Sequence, residues 1–505
     1  MDSQRKKNPS LTNRTLKGFM WSFSGTFFQI LSKFIVLIVL ARLLTPEDFG
    51  IVNVAMIIIS FSMIFSTLGV GPAIVQRPNL KEAHINVGYT ISILLGVLIT
   101  VVVWGLSDTV AYFFNIENLA LITRILAVTF FIQSFSIVGQ ALLERNMEFK
   151  RLARIQVISY VFGYGLISIL LAVLGSGIWA LVYGQIAQSL IQSISILYSQ
   201  PHSKKINFTF SIFKELMYFG GGFTIARIFN HIALQGDNII IGKFLGPIAL
   251  GYYGRAYQLM VMPANVFGQV LDKVLFPAMA KIQDNKSKLN IIFLRGTAVI
   301  SLIVLPFSIF LLMFAKEVVL VLFGEEWIEI VVPFKLLAIG MLFRASYKVS
   351  ESVARATGAV YRRAWRQSIY AASVLIGSYI GHFWGLNGVS VGITFAIFIN
   401  FMLMTHLSIS VLKGSWLSFL KIHVPSIIVS LIILLESFIL NNLLNPLQLS
   451  SLLVLVISGF ICLFTVMILF RYFPNMSLGD DGKWVIKLMI SIYKKRGKSD
   501  EKFEG

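Results

Sequence analysis

Apolar runs of about twenty residues recur between Gly18 and Arg471, and this repetition constrains the fold more than any other feature of the chain. Water is absent from a bilayer core, so each backbone amide there must find its partner inside the protein. Long apolar runs therefore read as helices. The alternating ten-residue segments of a membrane barrel do not occur. Of 505 residues, 56% are hydrophobic and 13% charged, well below the roughly 25% charged residues of a soluble domain. The first run, Gly18 to Leu40, is too long for the apolar core of a signal peptide and follows a basic segment. It reads as a retained first helix.

Helices are expected near 16–41, 50–71, 86–104, 119–142, 153–174, 177–199, 214–241, 249–275, 291–314, 329–355, 364–384, 388–410, 419–440 and 448–471. This makes an all-α polytopic membrane protein of about fourteen transmembrane helices. Charge tests the count. With the N-terminus inside, the inward connections carry Arg145, Lys150, Arg151, Lys204, Lys205, Arg362, Arg363 and Lys413. The outward ones carry Glu47, Asp48, Asp108, Glu117, Glu325 and Glu326 instead. One missed helix would invert this pattern from that point on, so both termini are expected in the cytoplasm. The net charge of +20 has its explanation here, and no soluble basic domain suited to nucleic acid is present. The segment 479–495 is amphipathic and basic, suited to the surface of an anionic leaflet.

The chain also echoes itself. Ala41-Arg42-Leu43-Leu44-Thr45-Pro46 through Gly50 aligns with Gly242-Lys243-Phe244-Leu245-Gly246-Pro247 through Gly251, 201 residues downstream. A second echo pairs Arg124, Leu126 and Ala127 with Lys335, Leu337 and Ala338. The copies are an even number of helices apart, so the halves have parallel topology. The expected organisation is two six-helix bundles with a parallel pseudo-two-fold repeat, 1–208 and 209–412. Two appended helices at 413–472 and a basic cytoplasmic tail at 473–505 complete it.

These repeated segments carry a resemblance. Lys17-Gly18-Phe19-Met20-Trp21, Leu40 to Gly50, Asp237-Asn238-Ile239-Ile240-Ile241-Gly242-Lys243 and Leu250-Gly251-Tyr252-Tyr253-Gly254-Arg255-Ala256 look like the polysaccharide-exporter branch of the multidrug/oligosaccharidyl-lipid/polysaccharide exporter superfamily. The likeness covers most of the chain and is weakest after about Lys413. It implies a flippase that moves an undecaprenyl-diphosphate-linked oligosaccharide across the plasma membrane by alternating access, for surface polysaccharide synthesis. The implied partners are that polyprenyl diphosphate, membrane lipids, Na+ or H+ as a driving ion, and a polysaccharide polymerase with other assembly proteins.

Such a flippase needs a polar cavity, and ionisable groups at membrane depth usually face one. Helix stripes supply the candidates. The cations are Arg227, Arg344, Lys33, Lys348, Arg124, Lys335 and Arg255, placed to attract a diphosphate. Gln29, Asn230, Gln258, Asn265 and Gln269 are polar cavity candidates, and Asp237 and Glu351 are candidates for ion coupling. Lys33, Lys335 and Arg124 also fit snorkelling or structural pairing, and Lys348 and Glu351 also fit a mutual pair.

No catalytic motif is present. Gly236 to Gly242-Lys243 looks like a phosphate-binding loop, but five residues separate the glycines and Phe244 replaces the hydroxyl residue. There is no zinc-protease motif, and the single cysteine, Cys462, offers neither a disulfide framework nor a Cys-rich metal site. No cofactor is expected. Two rival functions remain open: a small-molecule cation-coupled antiporter of the same superfamily, and a membrane polysaccharide polymerase or ligase. The first fits a fold with fewer helices and mostly acidic candidates; the second needs outward loops longer than those at 105–118 and 315–328.

Overall fold

The computed structural model describes residues 31–270, 275–480 and 482–483, with the side chains of 217–230, 232–233 and a few later positions outside the described set. No strand occurs among the described residues. In chain order the helices are α1 (31–43), α2 (Pro46–Thr67), α3 (Val70–Gln76), α4 (Glu82–Phe114), α5 (Leu119–Ser134), α6 (Ile137–Arg145), α7 (Phe149–Ile158), α8 (Ile167–Val173) and α9 (Ile178–Ser199). They continue with α10 (Phe210–Phe244), α11 (Gly246–Val270), α12 (Phe276–Ala280), α13 (Lys286–Met313), α14 (Ala315–Leu322), α15 (Val331–Ala338) and α16 (Met341–Ala356). The last are α17 (Val360–Gly381), α18 (Gly385–Leu412), α19 (Trp416–Lys421), α20 (Val424–Leu444), α21 (Ser451–Tyr472) and α22 (Pro474–Ser477).

The chain is an all-helical, multi-pass membrane protein. Among the described residues, eight helical stretches are long and apolar enough to cross a membrane, or nine if the pair α5 and α6, bent by 50°, is one span. One of the eight, Tyr361–Leu412, itself contains both α17 and α18. The other expected spans fall on pieces such as α16, whose Arg344, Lys348, Glu351 and Arg355 lower its hydropathy. Apolar side chains stand exposed along the spans: Leu94, Leu98 and Val101 on α4; Leu431, Leu435 and Phe438 on α20; Phe460, Leu463 and Phe464 on α21. In water these rows would be a liability, whereas in lipid they are the solvated surface.

Local chemistry sets several ends. Thr45 caps α2: its Oγ1 accepts from the Asp48 amide at 3.2 Å, and its own amide donates to Asp48 Oδ2 at 3.0 Å. Pro46 occupies the first turn, where its missing N–H costs nothing. A π-helical turn, Ser159–Leu166, links α7 to α8. Within it a Cβ on Gly163 would lie 2.4 Å from the Cα of Gln188 in α9, so the turn brings two backbones together.

The residues group into two compact units, Met1–Gly251 and Tyr252–Gly505. This boundary differs from the 208/209 division of the sequence repeat, because α10 packs on α2, α3 and α4. Inside the first unit the aligned segments meet. A Cβ on Gly50 would lie 1.8 Å from the carbonyl oxygen of Pro247, and one on Gly251 would lie 2.0 Å from that of Pro46. In the second unit α17 and α18 cross through Gly377 and Gly381 against Gly392 and Gly388, a small-residue contact of the kind that lets membrane helices touch backbone to backbone. Residues 484–505, with most of the amphipathic segment, lie outside the described residues.

Candidate functional site

In the second unit, the apolar periodicity of α16 leaves Arg344, Lys348 and Glu351 within two turns of one another. Arg344 Nη1 donates to the Tyr370 hydroxyl of α17 at 2.9 Å. Its guanidinium carbon is 5.5 Å from the centre of the Tyr347 ring. No carboxylate lies within ion-pair distance of it among the described residues. The side chain is half-buried, and an arginine does not shed its proton in a protein, so this charge persists. A tyrosine hydroxyl and ring faces hold the guanidinium in place without cancelling that charge.

One turn on, Lys348 Nζ is 3.1 Å from Glu351 Oε2 and 5.1 Å from the Tyr347 ring centre. The other Glu351 oxygen pairs with Arg363 at the start of α17. Glu351 therefore sits between two cations, and the group of three keeps one net positive charge. Gly268 of α11 packs beside the Lys348 stem: a Cβ there would stand 3.6 Å from the lysine Cδ and Cε, an ordinary contact. Arg355, at the end of α16, is exposed and stacks over Phe276 at 4.3 Å.

Arg255 is buried, and its Nη1 donates to Gln258 Oε1 at 2.7 Å, one turn along α11. Asn265 on the same helix is exposed, as is Lys335 on α15. The side chain of Gln269 lies outside the described residues.

The first unit presents a different set. Lys33 is exposed, with its Nζ 5.6 Å from the centre of the Tyr160 ring. Arg124 forms an ion pair with Asp108 at 2.6 Å and donates from Nε to Ser107 at 2.7 Å. This side chain has the geometry of a tie between α4 and α5. Asp237 is buried at 3% exposure, and its Oδ1 accepts from the Asn238 amide at 2.8 Å. Arg227 and Asn230 fall on α10, but their side chains lie outside the described residues; Gln29 lies outside them entirely.

Sequence reasoning missed Tyr347, Tyr370 and Arg363 as parts of the site. A signal existed for two of them. Arg363, Gln367 and Tyr370 follow one another at four- and three-residue steps, a polar stripe on α17 that faces the stripe of α16.

An all-helical chain with lipid-facing rows and an arginine that no carboxylate reaches among the described residues has the architecture of a membrane transporter. The fold agrees. The structure of the lipid II flippase MurJ, in its inward closed conformation, superposes with a TM-score of 0.70 at 16% identity, covering 89% of this chain and 98% of that one. Residues 39–332 match the profile of polysaccharide biosynthesis proteins, and the chain belongs to that family. Among its relatives, the lipopolysaccharide biosynthesis protein WzxC of Escherichia coli (strain K12) is 25% identical over 83% of this chain and 88% of its own length. The teichuronic acid biosynthesis protein TuaB of Bacillus subtilis (strain 168) is 28% identical over 69% and 73%. The resemblance read from the repeated segments therefore holds for the family.

Proposed function

We propose that this protein is a flippase for a polyprenyl-diphosphate-linked oligosaccharide, working by alternating access in the plasma membrane during surface polysaccharide synthesis. The observation that carries this reading is Arg344, half-buried and held by tyrosine instead of a carboxylate. A charge at membrane depth costs about 3 kcal/mol or more, so it is kept for something that moves past it. A diphosphate is the matching load, since a guanidinium fork can bind two of its oxygens at once. Within the second unit Lys348 with Arg363, and Arg255, add to the positive charge; in the first unit Lys33 and Arg227 are assigned the same phosphate-attracting role. The relatives' printed roles in lipopolysaccharide, teichuronic acid and lipid II biology supply the substrate class.

The same reading has about fourteen spans, both termini in the cytoplasm, and a repeat dividing the chain near 208/209. The meeting of Gly50 with Pro247 and of Gly251 with Pro46 supports that repeat. Asp237 and Glu351 are the acids assigned to coupling with Na+ or H+; Glu351 is held between Lys348 and Arg363. A polymerase would take the exported unit.

The test replaces Arg344 by Ala and by Lys and measures surface polysaccharide against the level of membrane-inserted protein. Ala should abolish or strongly reduce export. Lys should keep part of it, because the charge survives and the fork does not. Normal export from the Arg227→Ala, Arg344→Ala double variant, at normal protein level, would overturn the cationic mechanism.

A further inference from the structure

The pair α20 and α21 carries a group that the flippase mechanism leaves unused. Between Val424 and Tyr472 the chain holds two charged residues, Glu436 and Arg471. Arg471 sits in the last turn of α21. Glu436 stands in the middle of α20, about 18 Å along the helix axis from its start. Thr465 of α21 donates to Glu436 Oε1 at 2.7 Å. The second oxygen, Oε2, is buried without a hydrogen-bond partner. Cys462 stands beside the carboxyl and also contacts Ser437 at 3.8 Å. No Lys, Arg or His is within ion-pair distance of Glu436 among the described residues. The other helices packed on α20 do not supply one: α13 has its charges in its first ten residues, at Lys286, Lys288 and Arg295, and α22 has none.

A carboxylate enclosed in hydrocarbon needs a counter-charge, and an unsatisfied oxygen adds its own desolvation cost. Among the described residues neither a cation nor a second oxygen or nitrogen donor reaches it; the Cys462 thiol, a weak donor, stands beside it. We propose that Glu436, with Thr465 and Ser437, is a binding site for a small monovalent cation from the medium, H+ or Na+. An apolar groove of about 400 Å³ lined by Pro306, Phe307, Phe310, Ile433, Gly459 and Cys462 lies alongside. Cys462 therefore borders the groove on one side and the carboxyl on the other. The site differs from Glu351, whose oxygens are taken by Lys348 and Arg363.

The experiment uses the full chain in lipid nanodiscs and an apolar carbodiimide, which modifies a carboxyl only when it carries a proton. Adducts are located by peptide mass spectrometry. Glu436 should be modified, with Glu436→Gln as the unlabelled control. If the cation is H+, labelling falls several-fold as the medium is made alkaline and is indifferent to sodium. If it is Na+, sodium chloride protects several-fold at constant pH, whereas choline chloride does not. Absence of an adduct on Glu436 throughout, or labelling indifferent to both pH and sodium, would overturn the proposal. Thr465→Val should weaken the sodium or proton dependence without unfolding the pair. None of these readouts requires export, so their failure is distinct from failure of the flippase reading.

Discussion

Seven cations were marked from helix stripes, and their neighbours divide them. Arg124 is half exposed and tied to an exposed Asp108. A surface pair of this kind contributes about 0–1 kcal/mol. Arg124→Ala should therefore leave export near the wild-type level in the same polysaccharide assay. Glu351 is enclosed between Lys348 and Arg363, so its loss leaves two like charges facing each other. Glu351→Gln should lower the stability of the purified protein by on the order of 2 kcal/mol, read as a drop in melting temperature clearly larger than that of Arg124→Ala. If the two variants melt alike, Glu351 is not the clasp of that cluster. The sequence showed which side chains share a stripe, because helical periodicity is local. It did not show that Tyr370 meets Arg344, since that contact spans 26 residues and two helices.

Helix contacts turn on glycine at a few places. Gly50 sits where a Cβ would fall 1.8 Å from a backbone carbonyl, which cannot move aside as a flexible side chain could. Gly105, in α4, has nothing within 4 Å of the same atom. Gly50→Ala should therefore destabilise by about 1–3 kcal/mol through overpacking. Gly105→Ala should be neutral or stabilise by up to about 1 kcal/mol, through helix propensity. Thermal unfolding in detergent compares them, and equal melting points would show that α2 and Pro247 do not pack as described. The aligned copies at 41–50 and 242–251 were visible as repeated letters. Their mutual contact was not, because an internal repeat states that two segments are alike and is silent on whether they touch.

For the whole molecule the open quantity is topology. Cysteines placed at Asn115 and Asn445 of a Cys462→Ser background should react with an impermeant thiol reagent from outside the cell, and those at Ser203 and Asn285 should not. External labelling at Ser203 would remove the inward assignment of that connection and with it the count of about fourteen spans. The sequence by itself determined that the chain is helical and lies in a membrane, since hydrocarbon leaves a backbone few other ways to satisfy its amides. It also determined where charge enters the spans, since apolar composition makes each exception visible. Only the tertiary structure decided what each charge means. Arg124 and Glu351 are neutralised by partners brought from other helices, Arg344 is held by a tyrosine, and Glu436 has one oxygen on Thr465 and the other enclosed. The energy of a membrane charge is set by its partners, and those partners are chosen by packing between distant parts of the chain.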